Sequence, residues 1–156
     1  MRLLSELLKD SKKSDRELAK VLGVSQPTVS RERIKLREEG LIQEYSIVPD
    51  FGKLGFEILA VSCFKSRQRG ALTEKARKVT MSKPNIVLAA VCEGMGMNGM
   101  VISIHKNYAD YSNFMREIRG EGGSDIESIS SFLVALSGLV IKPFSLRYLA
   151  ELVEKL

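Results

Sequence analysis

The chain has 156 residues, 44% of them hydrophobic and 28% charged, with a formal net charge of +5 and an isoelectric point near 9.3. That composition is globular and soluble, and no apolar run approaches the roughly 20 residues of a membrane span, so a cytoplasmic protein of one ordinary domain or two small ones is expected, with no membrane partner. The positive charge permits a nucleic-acid partner but does not establish one: residues 1–50 carry ten Lys or Arg against nine Asp or Glu, and the excess lies downstream at Lys65, Arg67, Arg69, Lys75, Arg77 and Lys78.

In chain order, Leu3, Leu4, Leu7 and Leu8 fall on one stripe and predict a helix over residues 2–9. Ser14 and Glu17 spell S-x-x-E, a capping box that opens a second helix at Asp15 with Leu18, Ala19, Val21 and Leu22 as its apolar face. Gly23 ends it, because glycine accepts a positive φ without a Cβ clash. Ser25 caps a third helix with Pro27 in its first turn, and that helix runs to about Glu39 before Gly40. LIQEYSIVP then alternates like two short strands around a turn. Three helices followed by a small ribbon outline a winged helix-turn-helix over residues 1–48. PDFGKLG, within residues 49–56, is the natural linker.

Residues 57–156 change texture. EILAVSCFK reads as a strand, GALTEKARKVTMS as a helix, NIVLAAVCE and MVISIHK as strands, YADYSNFMREIR as a helix and DIESISSFLV as a fourth strand. The order β-α-β-β-α-β is the ferredoxin-like arrangement, and KPFSLRYLAELVEKL adds a final helix from about Ser145. The expected fold class is α+β: an N-terminal winged helix-turn-helix, then a ferredoxin-like domain with an extra C-terminal helix.

Three motifs test chemistry. GMGMNG at residues 94–99 spells G-x-G-x-x-G, yet a dinucleotide loop must open a helix, and MVISIHK after it is strand-like. The stretch therefore reads as a hairpin, with Gly and Asn supplying positive φ values. Cys63 and Cys92 sit in apolar runs without a C-x-x-C pair, and the single histidine, His105, has no ligand neighbour in sequence, so neither a metal site nor a cofactor is expected. His105 reads as an ordinary, partly exposed strand-end residue, and no catalytic residues are assigned.

The helix pair carries the functional reading. Ala19 gives the small contact two crossing helices need, Gly23 the turn, and Val24 and Val29 wedge the third helix against the second. With Val29 and Leu36 inward, the helical period turns Pro27, Ser30, Arg31, Ile34 and Glu38 outward and leaves Thr28 and Lys35 on the flank. This is the surface that enters a major groove of double-stranded DNA. Arg31 suits a guanine edge; Gln26, Thr28 and Ser30 suit bases or phosphates; Lys35 suits the backbone. Glu32 has the wrong sign for a phosphate, and Arg33 falls on the core side, where it can snorkel past the helix edge.

At this point the chain resembles the Lrp/AsnC family, the feast/famine transcription regulators. LAKVLGVSQPTVSRERIKLREEGLIQEYSIVPDFGKLGF looks like that family's DNA-binding signature and linker, and the downstream half is similar to its regulatory domain. The resemblance implies a transcription regulator rather than an enzyme, a homodimer paired through its sheets, and a higher assembly such as an octamer. It also implies an amino-acid effector bound near the hairpin, at Gly94, Gly96, Met97, Asn98 and Gly99. Here the loop lacks the acidic residue the family often carries, and Arg33 replaces a usual aliphatic. In a sheet where the third strand separates the first two, Cys63 and Cys92 lie too far apart for a disulfide. Two rivals remain: a siroheme-decarboxylase-like enzyme using His105 and the basic cluster from Lys65 to Arg77, and a winged helix used for protein assembly.

Overall fold

The computed structural model describes residues 1–67, 74–122, 125–138 and 140–156. Two compact units emerge, one from residues 1–48 with 142–156 and one from residues 49–141.

The first unit is helical. α1 (Arg2–Lys9), α2 (Asp15–Leu22) and α3 (Gln26–Glu38) enclose a core of Leu3, Leu7, Leu18, Ala19, Val29 and Leu36, with Leu4, Leu22 and Ile42 packed on it. Both expected caps form. Ser14 and Glu17 make the reciprocal capping box of α2, and the Ser25 hydroxyl accepts from the Thr28 N–H at the start of α3. Gly23 takes φ 70° between the two helices, where a side chain would be strained. Val21 and Val24 differ from expectation: they are 52% and 43% exposed, because Leu18, Ala19 and Leu22 already fill the contact between α2 and α3.

Residues 41–49 hold no paired strands. The Ile42 N–H closes the end of α3 by donating to the Leu36 carbonyl, and the chain then runs unpaired to Pro49. LIQEYSIVP has no Gly or Asn that would make the tight turn of a two-stranded ribbon, so the wing is one unpaired segment. Among the described residues, the backbone of residues 43–48 makes no hydrogen bond beyond its own segment.

The final segment groups with this helical unit rather than with the sheet. Ser145 caps a 3₁₀ turn, Leu146–Leu149, that leads into α6 (Ala150–Glu154). Both pack on α1, Ala150 is buried, and Lys9 of α1 faces Glu154 at 3.8 Å. Ala150 and half-buried Val153 make that contact, while Leu146, Leu149, Leu152 and Leu156 stay exposed.

The second unit holds β1 (Ile58–Ser66), α4 (Glu74–Ser82), β2 (Ile86–Gly94), β3 (Met97–His105), α5 (Tyr108–Gly122) and β4 (Ile126–Ala135). The sheet order is β2-β3-β1-β4, antiparallel throughout, which is the ferredoxin-like topology. The start of the helix expected from residue 70 lies outside the described residues up to Glu74. One sheet face packs under α5, where Ala60, Val101, Phe114 and Ile118 are buried. Lys83 ties the α4–β2 connection to α5 through Glu117 at 2.8 Å and Glu121 at 2.9 Å. Cys63 pairs across to Met100 of β3, Cys92 stands on the far strand β2, and both thiols are free.

His105 is fully buried, against the expectation of a partly exposed strand end. Its Nε2 meets the Ser103 hydroxyl at 2.8 Å, its Nδ1 lies 3.4 Å from the Asn85 amide nitrogen, and Tyr111 and Phe114 cover the ring. Loss of hydration pushes the imidazole below its ordinary range, with Asp110 opposing only in part. Its alternation with Val101 and Ser103 places it on the helix-covered face.

Candidate nucleic-acid interface and hairpin groove

The outer surface of α3 follows from its period. Val29 and Leu36 are buried, so Pro27, Arg31, Ile34, Lys35 and Glu38 come out exposed. Gln26 is exposed at the helix start, and Thr28 is half-buried, its hydroxyl 2.8 Å from that of Ser25. Lys35 faces Glu39 at 3.7 Å, a solvated pair of little energetic weight. Arg31 makes no hydrogen bond or ion pair with any described residue, so its guanidinium stands ready for an external acceptor.

Ser30 is placed differently from expectation. It is half-buried and donates to Asp15 Oδ2 at 2.6 Å, because it stands on the flank of α3 that faces the first turn of α2. Arg33 lies on the same flank. Its Nε donates to Asp15 Oδ1 at 2.9 Å, an Nη lies 2.8 Å from the same oxygen, and further contacts reach the Tyr45 hydroxyl at 3.1 Å and the Lys13 carbonyl at 3.4 Å. The core-side position of Arg33 thus resolves into a clamp rather than a buried charge. The Ser30 hydroxyl holds the Asp15 carboxyl below its usual range, against partial desolvation and with Arg33 assisting. Asp15 and Tyr45 were not legible as partners. An arginine on the core side calls for an acid, but nothing in the sequence selects one eighteen residues earlier.

The hairpin reading of residues 94–99 is correct in outline and differs in detail. β2 and β3 pair as far as Gly94 opposite Met97, leaving the two-residue turn Met95–Gly96 with φ 53° and 75°. Positive φ at both centres is the I′ type, which matches the twist of the strands. Met95 is the non-glycine residue in this strained region, and its side chain is 92% exposed. Asn98 supplies no positive φ; it lies inside β3, and its carboxamide pairs with the backbone of Ser66, accepting from N–H and donating to C=O at 2.8 Å each. That pair of hydrogen bonds continues the β1–β3 ladder where the pairing of β1 with β4 shifts register between Lys65 and Ser66.

Beside this turn lies a groove of about 780 Å³. It brings together Gly94, Gly96, Met97 and Asn98 of the expected set; Gly99 does not line it, and Phe64 lies next to the position its Cβ would take. Charge enters from Lys65 and Arg67, which the sequence marked only as part of a downstream basic stretch, and from Glu93 and Glu127. Lys65 meets Glu127 at 2.9 Å, Arg67 approaches it at 3.8 Å, and Glu93 also lines the wall. Lys65 holds the Glu127 carboxyl below its ordinary range. Two cations and two carboxylates around apolar Val91 and Met97 suit a small zwitterion. His105, enclosed under α5, does not reach this groove.

A family model described as winged helix-turn-helix DNA-binding matches residues 1–43. The HTH-type transcriptional regulator FL11 of Pyrococcus furiosus is 36% identical over 116 residues, covering 73% of this chain and 74% of the relative. The chain belongs to the Lrp/AsnC family of transcription regulators. Solved structures share its fold. The crystal structure of PH0061, a Pyrococcus horikoshii protein, matches with a TM-score of 0.75 at 26% identity over 93% of both chains. A Neisseria meningitidis regulator in complex with L-Met has the same fold, with a TM-score of 0.78 at 13% identity over 92% of this chain and 90% of its own.

Proposed function

We propose that this regulator binds specific double-stranded DNA through the outer face of α3, acts as a homodimer, and takes a small amino acid in the hairpin groove. The observation that carries the DNA reading is the division of labour on α3. The residues that hold the helix in place face inward or toward α2, and the outward turn offers Gln26, Thr28, Arg31 and Lys35. Arg31 reads a base edge, Lys35 meets phosphate, and Gln26 and Thr28 add polar contacts near the helix start. Ser30 serves by fixing α3 on Asp15. Selection of bound sequences from randomised DNA tests this: the expected outcome is a palindrome with half-sites about one helical turn, or a multiple of it, apart. Absence of any enriched sequence, or binding insensitive to salt, would return the winged helix to a protein-assembly role.

The dimer reading rests on the sheet. Val61, Ile102 and their partners Phe132 and Leu88 alternate away from α5, and Phe132 and Leu88 are 66% and 46% exposed. A second copy covers that face. The effector reading rests on the charge pattern of the groove: Lys65 and Arg67 suit a carboxylate, Glu93 suits an ammonium, and Met97 and Val91 meet an apolar side chain. The L-Met complex of the Neisseria regulator supports an amino acid as the ligand class. Calorimetry against a panel of amino acids, with Glu93→Gln as the control, checks it; heat that survives Glu93→Gln unchanged removes Glu93 from the site.

A further inference from the structure

The wing segment is held by one polar tether. Its backbone makes no hydrogen bond to the rest of the described residues between Ile42 and Pro49, and its apolar side chains give little anchorage, since Ile47 and Val48 are 77% and 53% exposed. What joins it to α3 is Tyr45, whose hydroxyl accepts from an Arg33 Nη at 3.1 Å while the guanidinium lies 5.8 Å from the ring centroid. Arg33 in turn is fixed by the Asp15 carboxylate and by the Lys13 carbonyl. With Nε and both Nη groups engaged inside the protein, Arg33 has little left to offer a phosphate. A cleft of about 560 Å³, lined by Ser11, Arg33, Tyr45, Ser46 and Ile47, opens at the junction, so the segment has room to move once the tether is cut.

We infer that Arg33 is a positioning residue for DNA recognition: through Tyr45 it sets the wing against α3, so that both meet the duplex in one register. The inference rests on the DNA-binding reading above. Arginine is required because a planar fork can hold Asp15 on one edge and Tyr45 on the other, a geometry a lysine ammonium cannot reproduce. Asp15 joins the ends of the unit, orienting Arg33 and Ser30 together from the first turn of α2.

The test uses the full chain and the selected operator, with Tyr45→Phe, which keeps the ring and removes the acceptor, and Arg33→Lys, which keeps the charge and removes the fork. Each is expected to lower specific affinity about three- to tenfold, the net range of one ordinary hydrogen bond, as suits a solvent-exposed pair. Hydroxyl-radical footprints should lose protection on the flanks of each half-site and keep it at the centre read by α3, and the melting temperature of Tyr45→Phe, which leaves the Arg33–Asp15 pair intact, should stay close to wild type. A footprint that fades evenly in step with a lowered melting temperature would mean that the clamp only stabilises the fold, and overturns the inference. Unchanged affinity in both variants does the same. Wild-type protein that protects no DNA overturns the parent reading, whereas wild-type protection with an unaltered Tyr45→Phe footprint sinks the tether alone.

Discussion

The outer face of α3 and the hairpin groove, the two surfaces proposed to meet a ligand, dispose of their polar groups in opposite ways. On α3 the helical period separates duties: Val29 and Leu36 pack, Ser30 and Arg33 bind Asp15, and Arg31 is left without an internal partner. In the groove the polar residues proposed for the ligand are already engaged internally. Asn98 satisfies the Ser66 backbone, and Lys65 and Arg67 share Glu127. A helix satisfies its own backbone and frees a whole face, whereas a strand end must be completed by side chains. Changes on α3 should therefore separate binding from stability, and changes in the groove should not.

The sharpest way to break this comparison is the helical core itself. Leu18, fully buried between α2 and α3, should lose about 2–5 kcal/mol on Leu18→Ala, read by denaturant unfolding, and DNA binding should fall with it. Arg31→Ala should cost about 1–3 kcal/mol on the selected site and less on random DNA, with stability unchanged; a matching drop in melting temperature would place Arg31 in the packing. Asn98→Ala should behave in the opposite manner, removing both bonds to Ser66 and lowering stability by about 1 kcal/mol whether or not effector is present. If calorimetric heat vanished while stability held, the groove would sort its duties as the helix does. Ser14→Ala should cost about 1 kcal/mol through loss of the α2 cap, with full-length unfolding as the readout.

The smallest effect concerns pH. The Asp15 carboxyl is held below its ordinary value, so the stability it contributes is present above the unfolded pKa and fades as pH falls through the folded one. The loss is confined to acid below about pH 4, the ordinary Asp range. Asp15→Asn should flatten that part of the unfolding-against-pH curve, and an unchanged curve would assign the acid sensitivity elsewhere.

What was legible in the chain was whatever local rules govern. S-x-x-E and Gly23 announced α2 and its end, strand-like runs announced the four strands of the sheet, and their order announced its ferredoxin-like topology. The outward turn of Arg31 followed from period alone. Partners distant in sequence were illegible: Asp15 with Arg33, Tyr45 with Arg33, and Glu127 with Lys65. So was the fate of His105, whose position on a strand end says nothing about the aromatic rings that close over it.

By itself, then, the sequence determined the elements, their order and the exposed face of α3, since capping, turn chemistry and periodicity act within a few residues. Only the tertiary structure decided which polar groups are consumed internally and that the tail packs on α1. Those outcomes depend on where each buried or half-buried donor finds an acceptor and each apolar stripe finds cover, a competition settled by distances in space rather than along the chain.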